Sequence, residues 1–209
     1  MNRRSFLGIL ALPLLLTACG KPPALPAVSA GASVLAFGDS VTFGTGAAVG
    51  EDWPTLLAAR TGWQVINAGI PGDTAQAATA RIRPLLDEHQ PRLVIIEIGG
   101  NDLLRRRAQS AVKEDIRQIV ATVKSAGAQP VLVAVPELSL FGLVASKASD
   151  APLYEALAEE ERIPLIADVF SDVLSRPELT ADKIHPNARG YQEMATGIHA
   201  ALQQIGLAP

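Results

Sequence analysis

Cysteine is almost absent: one residue, Cys19, stands in a chain of 209, so no disulfide can close within it. Three histidines and that single thiol are too few for a structural zinc site. Positive charge is also short. Eighteen Lys and Arg face 21 Asp and Glu, a formal net charge of −3, and nucleic-acid binding ordinarily requires a basic patch. Aromatic residues make up 4% of a chain that is 48% hydrophobic, so the apolar content is mostly aliphatic. No internal repeat or low-complexity tract is present. No apolar run reaches the ~20 residues of a membrane-spanning helix. What remains is enough for one domain with a real core, since chains of ~150 residues or more bury about 70% of their unfolded surface.

The N-terminus holds a disproportionate share of the apolar residues. Arg3 and Arg4 precede an apolar stretch of about ten residues interrupted by Pro13, and small residues follow it, the layout of a secretory signal. Its exit, Leu16-Thr17-Ala18-Cys19, resembles a bacterial lipobox, in which the cysteine becomes the first mature residue and is acylated. The run Asn2-Arg3-Arg4-Ser5-Phe6-Leu7 also resembles a twin-arginine export signal. The expected organisation is a signal peptide over 1–18, a Pro-containing tether over 19–32 and a catalytic domain over 33–209. Cys19 is then the lipid attachment point on the membrane of the cell envelope. More than one acyl chain is needed for firm anchoring.

From Ser33 onward, short apolar runs alternate with helical stretches. Strands are expected at Ser33–Phe37, Trp63–Asn67, Leu93–Ile98, Pro130–Val135 and Pro164–Ile166. Helices are expected at Asp52–Thr61, Thr74–Gln90, Ala108–Ala126, Asp150–Arg162 and Asn187–Gln204. In the second helix the spacing of Ala77, Ala80 or Arg81, and Leu85 suggests one buried face, with Pro84 kinking it. Leu93-Val-Ile-Ile-Glu-Ile98 is nearly continuous, as befits a central parallel strand. Repeated strand–helix–strand units imply an α/β, three-layer α/β/α sandwich around a five-stranded parallel sheet.

Ligands in such sheets bind beyond the carboxyl ends of the strands. Four clusters fall there: Gly38-Asp39-Ser40, Asn67-Ala68-Gly69 with Gly72-Asp73, Gly99-Gly100-Asn101-Asp102, and Asp182-Lys-Ile-His185-Pro186 after the fifth strand. They suit acyl transfer. A serine hydroxyl needs a base to take its proton, and of His89, His185 and His199 only His185 lies in a loop at that edge. Asp182, three residues earlier, can reach the imidazole Nδ1–H and stabilise the imidazolium. Backbone N–H groups of Ser40 and Gly69 and the side-chain amide of Asn101 are the candidate donors to a tetrahedral oxyanion.

Taken in order, these blocks resemble those of the SGNH (GDSL) hydrolases, and from about Val34 to Ala200 the chain is similar to the bacterial multifunctional thioesterase/arylesterase/lysophospholipase branch. Asp52-Trp-Pro-Thr-Leu-Leu57 and Glu97-Ile-Gly-Gly-Asn-Asp102 look like that branch; Val41 departs from the leucine usual after the serine. The resemblance implies a flavodoxin-like sandwich, no metal and no cofactor. It implies Ser40 as nucleophile, His185 as base, Asp182 as its partner, and Ser40, Gly69 and Asn101 as the oxyanion hole. The substrate expected is a small acyl ester or lysophospholipid. An O-deacetylase acting on envelope carbohydrate is the alternative within enzymes, and a non-catalytic lipid-binding lipoprotein the alternative outside them.

Other residues have plainer readings. Asp39 is expected to steady the turn, Asp102 to bond neighbouring backbone, and Asn187 to cap the last helix. Glu97, a carboxylate in an apolar strand, calls for a buried partner. Asp168 and Asp172 are expected to serve as surface or capping residues, and Arg105-Arg106-Arg107 as a solvated loop. The Gly44-x-Gly46 spacing does not fit a dinucleotide fingerprint. Between Glu137 and Ser149, Leu138, Leu140, Phe141, Leu143 and Val144 suggest an apolar loop over the site that accepts an acyl chain.

Overall fold

The computed structural model describes residues 26–137 and 148–209. The signal segment, Cys19 and the apolar part of the loop between Glu137 and Ser149 therefore lie outside the described residues. Strands β1 (Ser33–Gly38), β2 (Gln64–Gly69), β3 (Leu93–Glu97), β4 (Gln129–Val133) and β5 (Leu165–Ile166) form one parallel sheet in the order β2-β1-β3-β4-β5. Helices α1 (Ser40–Phe43) and α2 (Trp53–Thr61) follow β1, and α3 (Ala75–His89) follows β2. Then come α4 (Gly100–Leu104) and α5 (Gln109–Ser125) after β3, and α6 (Leu153–Glu161) after β4. After β5 stand α7 (Val169–Leu174), a 3-10 turn (Pro177–Leu179) and α8 (Ala188–Gln204).

The layers follow from side-chain pattern. β1 and β3 run almost wholly buried because helices cover both faces, and their residues are β-branched and aliphatic as such strands require. Helix α3 packs on α5, and α5 on α6; α2 and α7 both pack on α8. Helix α5 turns Val112, Ile116, Ile119, Val120 and Val123 inward, and α8 turns in Tyr191, Met194, Ala195, Ile198 and Leu202. Val28, within the stretch expected as a tether, is itself in the core. Its N–H donates to the Leu207 carbonyl at 2.9 Å, and its carbonyl accepts from the Trp63 indole at 3.1 Å. No helix among the described residues is long and apolar enough to cross a membrane.

Several sequence expectations shift. Helix α3 runs unbroken past Pro84, but its buried face is Ala75, Ala78, Ile82 and Leu86, one position from the face expected. Asp150 does not open a helix. Pro136 and Asp150 form an antiparallel bridge, the Asp150 carboxylate accepts from Asp168 N–H and the Ser171 hydroxyl, and α6 starts at Leu153. Between β5 and the Asp182–His185 loop stand α7 and the 3-10 turn, so that loop does not follow the strand directly. Helices α1 and α4, four and five residues long, are too short for any periodic signal.

Candidate active site

The order of the sheet reverses between β1 and β3, where ligand crevices open in such folds. Ser40 leaves β1 on one side of that point and Gly99–Asn101 leave β3 on the other. Ser40 is the first residue of α1, and the turn that presents it is sharp. Asp39 caps the helix, its Oδ1 accepting from Val41 N–H at 3.1 Å. Gly38 and Gly69 lie in register and admit no side chain. A Cβ on Gly38 would collide with the Thr42 hydroxyl and the Glu97 carbonyl, and one on Gly69 with the backbone of Phe43.

The serine hydroxyl lies 3.0 Å from His185 Nε2, and His185 Nδ1 lies 2.8 Å from Asp182 Oδ2. The loop carrying both is tied at its base. Thr180 bridges Pro186, Ala181 N–H donates to the His185 carbonyl at 2.9 Å, and Asn187 caps α8 while its amide donates to the Glu178 and Thr180 carbonyls. Asp182 Oδ1 accepts from the N–H groups of Ile184 and His185, each at 2.8 Å. One carboxylate thus shapes the bend with one oxygen and orients the imidazole with the other. Burial, the largest single influence, pushes its pKa up. The bonds from the imidazole and the two N–H groups outweigh that and hold it below the ordinary carboxylate value.

The three candidate oxyanion donors converge on the same edge. Ser40 N–H makes no hydrogen bond among the described residues. Gly69 N–H donates to Asn67 Oδ1 at 3.0 Å, while Asn67 Nδ2 donates to the Thr42 carbonyl and to Asp52. Asn101 Nδ2 donates to the Asp73 carbonyl at 2.9 Å and, at a longer 3.2 Å, to Asp39 Oδ2.

Below the serine sit two buried acids. Burial raises the Asp39 pKa to about 6, against which the Val41 N–H bond works. Burial also pushes Glu97 well above the carboxylate range, the neighbouring Asp39 adding to the effect and the Thr42 hydroxyl opposing it. The partner expected for Glu97 is that hydroxyl, which donates to Oε2 at 2.8 Å; Oε1 is buried with no partner among the described residues. Both carboxyls line a small open pocket together with Ser40, Asn101 and His185, whose apolar walls include Leu104, Val135, Phe170 and Ile184.

Asp102 and Arg107 depart from their expected roles. Asp102 is fully buried, accepting from Ala75 N–H at the start of α3 and from Arg107, which also pairs with Asp115. Asp168 and Asp172 make no hydrogen bond to His185. Sequence reasoning placed Asn67 and Asp73 in a site cluster without a role, read Arg81 only as a candidate for the buried face of its helix and passed over Thr42; the polar atoms of all four work on partners far along the chain. Among the described residues no group of three or more His, Cys, Asp or Glu side chains could hold a metal ion.

An acid, an imidazole and a hydroxyl in line, facing N–H donors, can transfer an acyl group from an ester or thioester to the hydroxyl and then to water. Comparison with known proteins points the same way. Residues 36–193 match the GDSL-like Lipase/Acylhydrolase family. The chain is 35% identical to the thioesterase 1/protease 1/lysophospholipase L1 of Escherichia coli (strain K12), covering 83% of this chain and 84% of that one. It is 31% identical to the esterase TesA of Pseudomonas aeruginosa, covering 92% and 98%. A crystal structure of TesA superposes with a TM-score of 0.73 at 27% identity, covering 83% of this chain and 99% of that one.

Proposed function

The chain belongs to the GDSL-like Lipase/Acylhydrolase family, and on that premise we propose that it hydrolyses carboxylic esters through an acyl-enzyme formed on Ser40. The observation that carries the reading is the continuous line from Asp182 through His185 to the Ser40 hydroxyl, with links of 2.8 and 3.0 Å. His185 Nε2 takes the hydroxyl proton as Oγ attacks the ester carbonyl carbon. Asp182 keeps the imidazole in the tautomer with its proton on Nδ1 and stabilises the imidazolium. The resulting oxyanion takes the free N–H of Ser40, and competes with Asn67 for Gly69 N–H and with Asp39 for the Asn101 amide. A negative oxygen wins the contest with the neutral Asn67 amide because charge-assisted hydrogen bonds are roughly twice as strong as neutral ones, and the Asn101–Asp39 bond, the longer of the two that amide makes, is the one most easily given up. Collapse expels the alcohol, protonated by His185. Water, activated by the same imidazole, then releases the acid and restores Ser40.

The substrate class is a small acyl ester or lysophospholipid, with thioesters as variants of the same chemistry. The relatives named for thioesterase, lysophospholipase and esterase activity support it, as do the apolar walls around Ser40. The protein is an exported lipoprotein held on an envelope membrane through acylated Cys19, a reading supported by the lipobox-like run before that residue.

Ser40→Ala is expected to abolish hydrolysis of p-nitrophenyl esters and labelling by a fluorophosphonate probe. Retained hydrolysis in that variant would overturn the assignment. Rates across acyl chains of increasing length, set against acetylated sugar, define the natural substrate.

A further inference from the structure

Arg81 lies on α3, outside every motif discussed so far, and all three nitrogens of its guanidinium are engaged. Nη1 donates to the Ala68 carbonyl at 2.7 Å, Nη2 to the Gly38 carbonyl at 2.6 Å, and Nε to Asp73 Oδ2 at 2.6 Å. The plane lies 4.0 Å above the Phe37 ring. Each acceptor lies beside a different oxyanion donor: the Ala68 carbonyl shares a peptide with Gly69 N–H, the Gly38 carbonyl ends the strand that leads to Ser40, and Asp73 accepts from the Asn101 amide through its own carbonyl.

We infer that Arg81 is the positioning residue of the oxyanion site, one guanidinium bracing the peptide of Gly69, the strand end that leads to Ser40 and the loop residue that holds the Asn101 amide. The inference rests on the esterase reading above. The Ala68 carbonyl belongs to the same peptide as Gly69 N–H. A cationic donor on that oxygen draws electron density from the amide nitrogen and strengthens its N–H as a donor. The Gly38 carbonyl lies two residues before Ser40, at the end of β1, and also accepts from Ile70 N–H at 3.2 Å. Asp73 is a strut: its carboxylate is fixed by Arg81, and its own carbonyl accepts from Asn101 Nδ2. An ion pair for stability alone would need only the contact with Asp73. Here the two terminal nitrogens are spent on carbonyls at the reacting edge. Lysine cannot copy this, because its donors radiate from one atom while the three acceptors diverge in the plane of a fork.

The test uses Arg81→Met and Arg81→Lys, with Ser40→Ala alongside. For Arg81→Met, kcat on p-nitrophenyl butyrate is expected to fall about 10- to 100-fold, the scale of a misplaced catalytic geometry. KM should stay within about two-fold, the mark of an interaction made in the transition state. The inhibition constant of phenylboronic acid, whose tetrahedral adduct places an oxygen where the oxyanion forms, should rise by the same factor. The acid limb of the pH profile should keep its midpoint, and Arg81→Lys should fall between. Four results overturn the proposal: unchanged kcat in folded Arg81→Met, a loss confined to KM, a fall in kcat with boronate affinity intact, or loss of fold in both variants by circular dichroism. The last would make the guanidinium an element of the fold instead. Residual activity in Ser40→Ala sinks the acyl-enzyme itself. A dead Ser40→Ala beside a fully active Arg81→Met sinks only the role of Arg81.

Discussion

Asp182 illustrates how much one carboxylate does when both oxygens are engaged. Removing it takes away the acceptor for the imidazole and the two bonds that shape the loop. Asp182→Ala is therefore expected to lower kcat/KM by about 10²–10⁴, read on a soluble ester at saturating and limiting concentrations. Its pKa also has a thermodynamic sign. Held below the ordinary value in the fold, it stabilises the native state above that value, and this contribution is lost as pH falls through the folded value. Asp39 and Glu97 act oppositely. Their raised values mean that the fold holds their protons more tightly than the unfolded chain does. For Asp39, stability therefore declines as pH rises from about 4 through about 6, and Glu97, held higher still, carries the decline on above that. Glu97→Gln keeps an acceptor for the Thr42 hydroxyl and removes the titration. It should raise the melting temperature by a few degrees at pH 8, with the gain shrinking toward pH 4. An equal or larger gain at pH 4 would contradict burial as the cause.

At the scale of elements, the site is built where short helices start directly from strands. Helix α2 steadies this region through its cap. Asp52 Oδ1 accepts from both the N–H and hydroxyl of Thr55, and also from Asn67 Nδ2, which belongs to β2. Asp52→Ala should cost about 1–2 kcal/mol, seen as a lower urea midpoint at unchanged slope. The longer elements were legible because their signals are local: Asp52 with Pro54 and Gly62 around α2, Asn187 before α8, the apolar run of β3. The face of α3 was misread because its alanines carry little pattern, and Arg81 and Leu85 border the buried strip that Ile82 and Leu86 define. Ser40, Asp182 and His185 were readable because their motifs are compact in sequence. Arg81 was not, since its partners lie 13 and 43 residues away and only the sheet register brings them together.

As a whole molecule, the described chain is a single sheet with helices on both faces, preceded in sequence by the segment proposed to direct export. Cys19→Ser is expected to move the protein from the membrane pellet to the soluble fraction on cell fractionation, and unchanged association would refute the anchor. The direction of the sheet gives that anchor a consequence. All five strands run the same way, so the chain enters at one rim and the serine stands at the other. Val28, bonded to Leu207, marks the entry rim. From there to Ser40 the six residues of β1 span roughly 20 Å at about 3.3 Å each. An anchor at Cys19, as proposed, would therefore join the folded domain at the rim opposite Ser40, leaving the mouth of the site clear of the point of attachment.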